Sequence, residues 1–183
     1  MKGPASVGGR ERARLFCALR LPDGVLDAIE AWGTEHLAKR IVPRANLHIT
    51  LAFLGHRPVG ELADICEATR AAAIAAARRI RLEPARYRET RTVGMLVLDD
   101  ENGAAGALAE DLHGRLERLG VYEREARTWL PHLTVVRFRQ RPRLQPPLPA
   151  LGPFSPSDAA VYLSRLSPSG AQYDVVESFA LGG

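Results

Sequence analysis

Only two cysteines occur in the 183 residues. No secretion signal accompanies them, and neither sits in a metal-ligand or redox spacing. Cys17, in a first strand, and Cys66, in a helix, read as buried thiols. No stretch is apolar for long enough to span a bilayer, which excludes a helical membrane segment and makes the cytoplasm the expected location. Residues 1–12 are glycine-rich and basic, with no apolar core for a signal peptide. They are expected to be a disordered tail ahead of one domain over residues 13–183. Also missing are a cluster of carboxylates to hold a metal and a nucleophilic serine or cysteine motif. An excess of acid is lacking too: 25 Lys and Arg stand against 21 Asp and Glu, for a net charge of +4. A pI near 9.5, owed mostly to arginine, suits a polyanionic or phosphorylated partner. The remaining composition, 46% hydrophobic and 25% charged, is that of an ordinary globular domain with a core of its own.

Periodicity supplies the elements. From Arg14 to Leu19, Leu15, Cys17 and Leu19 alternate with Arg14, Phe16 and Ala18, which predicts a strand with one face in the core and Phe16 on the other. A helix follows from Pro22-Asp23, with Val25, Leu26, Ile29, Trp32 and Leu37 as its buried stripe and Pro43 preventing its continuation. A second helix is predicted over residues 59–78, with Leu62, Ile65, Cys66, Thr69 and Ala73 on one side. Residues 80–91, interrupted by Pro84, are strand or irregular. Val93 to Leu98 is a short strand, and residues 99–103 form a turn. A third helix places Leu108, Leu112, Leu116 and Leu119 at helical spacing and stops at Gly120. The proline-rich residues 139–157 read as a surface connector. Two closing strands, Val161 to Leu166 and Gln172 to Leu181, are joined by a turn at residues 167–170, with Tyr162 and Ser164 opposite Val161 and Leu163.

Two strands carry polar residues that a buried strand does not need. In Asn46-Leu47-His48-Ile49-Thr50-Leu51-Ala52-Phe53-Leu54-Gly55, His48 and Thr50 share one face. In Pro131-His132-Leu133-Thr134-Val135-Val136-Arg137-Phe138, His132 and Thr134 do the same. Each strand is preceded by a strand and a helix, so the chain repeats a pattern, and two like halves would set the two His-x-Thr faces across a shared cleft.

Two imidazoles that titrate near neutrality are suited to act as general acid and general base, each role typically contributing about 10² to 10⁴ in rate. A threonine beside each one can donate to an anionic oxygen. This set fits displacement at a phosphodiester, and the residues leave the two histidine roles interchangeable. Arg137 is of opposite parity to His132 and reaches the phosphate only where the strand bends, twists or ends. His36, His56 and His113 have no partners at ligand spacing and read as surface residues.

These motifs, together with Arg14-Leu15-Phe16-Cys17-Ala18-Leu19, Tyr162-Leu163-Ser164-Arg165-Leu166, Gly170 and Tyr173, resemble the two-histidine phosphoesterases. The likeness is greatest to the RNA 2′,3′-cyclic phosphodiesterases once called 2′-5′ RNA ligases. It implies a two-lobed α+β fold, with two antiparallel sheets and outer helices about an approximate twofold axis. It further implies metal-independent opening of 2′,3′-cyclic phosphate ends of RNA to a 2′-phosphate, with reversible 2′-5′ joining in some members. On this chain His48 would be the general acid and His132 the general base, while Thr50, Thr134 and Arg137 would bind phosphate. No cofactor is implied, and a monomer is expected. Relatives often carry an aromatic where this chain has Val93-Gly94-Met95-Leu96-Val97-Leu98, which leaves Phe16 and Tyr162 as candidates for contact with a base. The alternatives are a non-catalytic RNA- or nucleotide-binding module of the same fold and a phosphodiesterase acting on a small cyclic nucleotide.

Overall fold

Alternation along the first strand divides its side chains between two environments. Leu15, Cys17 and Leu19 join the main core, while Phe16 and Ala18 join Ala160 and Tyr162 in a small separate cluster. A computed structural model, which describes residues 11–37, 41–168 and 170–183, shows what produces the division. The strands are β1 (Arg12–Arg20), β2 (Ile49–Pro58), β3 (Leu82–Glu89), β4 (Val93–Asp100), β5 (His132–Arg137), β6 (Asp158–Ser167) and β7 (Gly170–Phe179). They form one seven-stranded sheet in the order β3-β4-β5-β2-β1-β6-β7. Every pairing in it is antiparallel. One face is covered by the helices α1 (Asp23–His36), α2 (Leu62–Ala75) and α3 (Ala104–Arg118); the other is left open.

The α+β class and the antiparallel strands agree with expectation. The two expected sheets are joined edge to edge, three strands on one side and four on the other. Their seam is narrow, because β2 and β5 pair at Ile49↔Leu133 alone. The predicted tail lies outside the described residues as far as residue 10, and Arg12 already opens β1. Residue 169 of the expected turn is likewise outside them, and the β6–β7 hairpin closes at Ser167↔Gly170.

Each helix forms for reasons legible in its residues. In α3, Leu108, Leu112 and Leu116 are at most 3% exposed, and burying a leucine contributes roughly 1.5–3 kcal/mol. Its first turn is held by Asp100, whose carboxylate accepts the backbone N–H groups of Ala105 and Gly106. Its last turn ends with Gly120 at φ 70°, where the Gly120 and Val121 N–H groups donate to the carbonyls of Glu117 and Leu116, the usual helix-terminating pair of bonds. In α2 the helix is shorter than predicted, Leu62–Ala75 with a 3-10 turn ahead of it. Gly182 from the C-terminal segment donates to the Ala73 carbonyl there, so that segment occupies the path a longer helix would take. Both cysteines are buried and free, and burial pushes the Cys17 thiol up to about 12 and the Cys66 thiol up to about 11.

The proline-rich segment is irregular, as predicted, but it is more than a connector. Phe154 exchanges two backbone hydrogen bonds with Leu82 and covers part of the β3 edge, a place that otherwise invites pairing with another chain. Trp32 donates its indole N–H to the Pro147 carbonyl. The buried Glu89 carboxylate accepts from Arg141, from the backbone N–H groups of Arg143 and Leu144, and from the Tyr87 hydroxyl.

Candidate active site

Both histidines are pinned in the same way. The His48 Nδ1 lies 2.7 Å from the Asn46 carbonyl, and the His132 Nδ1 lies 2.9 Å from the Leu130 carbonyl. A carbonyl only accepts, so each Nδ1 carries a hydrogen, and in each neutral ring Nε2 is the free lone pair. Asn46 is itself tied to β7 by donating to the Ala171 carbonyl. The Thr50 Oγ1 sits 3.1 Å from the His48 Nε2 and donates to it when the ring is neutral.

His48 rests in an aromatic box. Phe16 and Tyr173 have ring centroids 4.8 and 5.3 Å from the imidazole. Phe16 stacks in parallel on Tyr162 at 4.8 Å. Burial holds the His48 pKa down to about 4, and the Arg137 guanidinium pushes in the same direction, as does His132 when it is protonated, against the upward pull of the Asn46 carbonyl. In the free protein at neutral pH, His48 is therefore uncharged.

Two cavities adjoin at this part of the sheet, the second reaching to Glu110 and His113 of α3. One, of about 650 Å³, is lined by His48, Thr134, Arg137 and Tyr173 among others. The second, of about 700 Å³, includes His132, Trp129 and Arg88. Thr50 and Phe53 border both. His48, Thr50, His132, Thr134 and Arg137 are thus brought to one region of the open face.

Arg137 arrives there through a bulge. Gly94 pairs with Val136 and Met95 with Thr134, leaving Val135 as an extra residue in β5. Val135 and Val136 are both 2% exposed in the core, and Arg137 is returned to the face of His132 and Thr134. Strand β2 behaves likewise. Leu51 is extra between Ala52 and Thr50, Leu51 and Ala52 are both buried, and Phe53 returns to the face of Thr50.

Phe53 is 51% exposed, with the Arg14 guanidinium 4.8 Å over its ring. Regular alternation hides this residue. The signal for it in the sequence is its place five positions after His48, as Arg137 stands five after His132. Phe16 and Tyr162, the expected base contacts, are instead 3% and 5% exposed. Their ring faces are occupied by each other and by His48, so they form its floor rather than an open platform.

His113 corrects another expectation. It is 5% exposed, packs on Tyr122 at 4.8 Å, and donates from Nε2 to the Leu51 carbonyl at 2.7 Å. The Trp129 indole donates to the neighbouring Thr50 carbonyl at 3.0 Å. Two side chains from the β5 half thereby hold the bulge of β2. His56 is exposed, as predicted. Among the described residues, no group of three His, Cys, Asp or Glu side chains is placed to hold a metal ion, and no helix is long and apolar enough to cross a membrane.

Comparison with known proteins identifies the family. A family model described as the 2′-5′ RNA ligase superfamily matches residues 21–169. An RNA 2′,3′-cyclic phosphodiesterase of Thermus thermophilus is 34% identical over 182 residues, covering 93% of this chain and 91% of that protein. Another of that name, from Methanocaldococcus jannaschii, is 23% identical over 184 residues, with 91% and 99% covered. A solved structure of a Thermus thermophilus protein has a TM-score of 0.78 at 32% identity and covers 93% of this chain and 98% of its own.

Proposed function

Because the chain belongs to the 2′-5′ RNA ligase superfamily, we propose that it opens 2′,3′-cyclic phosphate ends of RNA to a 2′-phosphate without a metal. The observation that carries the reading is the pair of imidazoles, each with Nδ1 on a carbonyl, beside Thr50, Thr134 and Arg137. The two threonine hydroxyls and the Arg137 guanidinium hold the anionic phosphate oxygens. His132 takes a proton from water as its oxygen bonds to phosphorus. The bond from phosphorus to O3′ breaks, and His48 gives O3′ its proton.

A neutral resting His48 is compatible with that acid role. The cyclic phosphate brings a negative charge beside the ring, and at about 4 Å such a charge favours the protonated form by roughly 4 kcal/mol at an effective dielectric near 20. This roughly offsets the burial that keeps the empty site uncharged. Phe53, with its exposed ring, is the surface for the terminal base. A non-catalytic binding module would have no need of both His-x-Thr pairs.

The test is product analysis on defined oligonucleotides ending in a 2′,3′-cyclic phosphate. The expected product is the 2′-phosphate, formed equally well with EDTA present and nearly abolished in His48→Ala and in His132→Ala. Robust activity in either variant, a 3′-phosphate product or strong inhibition by the chelator would overturn the reading.

A further inference from the structure

Resting on the reading above, we propose that Arg88 binds the phosphate on the 5′ side of the reacting nucleotide, so that the enzyme prefers RNA ends and 5′-phosphorylated nucleotides to bare nucleoside cyclic phosphates. Strand register places Arg88 on the open side of the sheet. Arg88 of β3 pairs with Met95 of β4, and Met95 pairs with Thr134 of β5. Residues paired directly across an antiparallel sheet share a face, so Arg88, Met95 and Thr134 form one row on the open side. Met95 is 9% exposed yet lies outside the main core cluster that holds Leu96 and Leu98, as a residue on that open face should. Arg88 and His132 line the same cavity.

Two strand spacings, about 10 Å, separate the Arg88 backbone from that of Thr134. An arginine side chain spans much of that gap, and its guanidinium comes within one internucleotide spacing of a phosphate held at Thr134. Charge points to the same occupant. The other charged groups on this cavity wall neutralise one another, Arg124 with Glu110 and Arg127 with Glu125. Arg88 is exposed and has no ion pair or side-chain hydrogen bond among the described residues. Its immediate neighbour Glu89 is of opposite parity, and its carboxylate is committed to Tyr87, Arg141 and the 143–144 backbone. The wall therefore presents one uncompensated guanidinium toward a cavity of about 700 Å³, a match for a single phosphate.

The experiment compares three substrates: a nucleoside 2′,3′-cyclic phosphate with a free 5′-hydroxyl, the same compound with a 5′-phosphate, and a dinucleotide ending in the cyclic phosphate. Wild-type protein is expected to favour the two phosphate-bearing substrates by roughly ten- to a hundredfold in kcat/KM, the range of a charge-assisted contact. Arg88→Gln should bring that ratio toward one, and Arg88→Glu should invert it. Arg118→Gln, which removes an equal charge from an exposed position on α3, should leave the ratio as it was. Each added phosphate contact should also steepen the logarithmic salt dependence by about 0.7 in wild type but not in Arg88→Gln. The inference is overturned if wild type does not discriminate, or if it discriminates and Arg88→Gln does so equally. Either result leaves the proposed reaction standing as long as cyclic phosphates are hydrolysed. Hydrolysis of none of the three would overturn the reaction itself.

Discussion

His48 should make the protein lose stability in acid in a way that a neutral residue at this position would not. An isolated histidine titrates near 6.5, and in the fold its pKa is lowered to about 4, chiefly by burial in the box of Phe16, Tyr162 and Tyr173. The folded state thus disfavours the protonated ring. The associated stability is complete above the unfolded pKa and disappears as pH falls toward the folded one. Linkage puts the loss from this one residue at about 2 kcal/mol by pH 5 and about 3 kcal/mol by pH 4. The assay is urea denaturation of wild type and His48→Gln at pH 7, 5 and 4, read as the difference between the two proteins. Carboxylates that titrate equally in both cancel in that difference, as does any constant packing cost of the substitution. Relative to its standing at pH 7, the variant should gain on wild type by the amounts above. Sulfate, an anion that does not itself titrate in this range, should shrink the gain by stabilising the charged ring. A wild-type-minus-variant difference that stays flat from pH 7 to 4 would refute the burial argument, and with it the claim that an empty site holds a neutral His48.

Trp129→Phe keeps the ring but removes the N–H that serves the Thr50 carbonyl, so a loss of about 1–3 kcal/mol in urea midpoint analysis is expected, with kcat falling more than KM rises. His113→Leu should behave similarly at the Leu51 carbonyl, whereas His113→Gln, which retains a donor, should recover part of the loss in the same two measurements. Gly94→Ala would bring a methyl within 2.1 Å of the Tyr87 hydroxyl and 2.6 Å of a Val136 methyl. Overpacking of this kind costs about 1–3 kcal/mol, and the double variant Gly94→Ala with Tyr87→Phe should be the more stable of the two by thermal denaturation.

Much of the site was legible because its strands are regular where the chemistry sits. Two residues apart is one face, so His48 with Thr50 and His132 with Thr134 follow from parity alone. The repeat of flanking elements then argued for a shared cleft. Helix-period spacing recovered α1 and α3, and turn residues placed the β4–α3 junction. What stayed hidden depends on partners distant in sequence. Nothing local to His113 says that its Nε2 will meet the Leu51 carbonyl from 62 positions away. Nothing in the proline-rich segment announces that Glu89 will gather its backbone. Phe16 and Tyr162 were assigned the correct face, but their burial follows from stacking on each other across β1 and β6, a pairing that no single strand reveals. Gly94 reads as one more residue of a short apolar strand until the Tyr87 hydroxyl and Val136 are seen to fill the space where its side chain would stand.

The bulges account for the largest gap between alternation and geometry, and they also explain why two side chains outside the His-x-Thr motifs matter. A phosphodiesterase site of this kind needs three groups on one face of each strand: the histidine, the threonine two residues on, and a substrate contact beyond them. In β5 the strict period of two would send Arg137 to the helix side, since it stands five residues after His132. One extra residue between the threonine and that contact, Leu51 in β2 and Val135 in β5, converts odd spacing to even and returns Phe53 and Arg137 to the cleft. Such an insertion disrupts the ladder and leaves backbone groups that need other partners. In β2 the carbonyls of Thr50 and Leu51 find theirs in Trp129 and His113, both from the opposite half of the molecule. Trp129 stands three residues before His132 and next to Leu130, whose carbonyl holds the His132 ring. The same bond that satisfies the β2 bulge therefore ties the backbone of Thr50 to the segment that positions His132. Across a seam with one paired position, Ile49↔Leu133, that tie fixes the spacing of the two imidazoles.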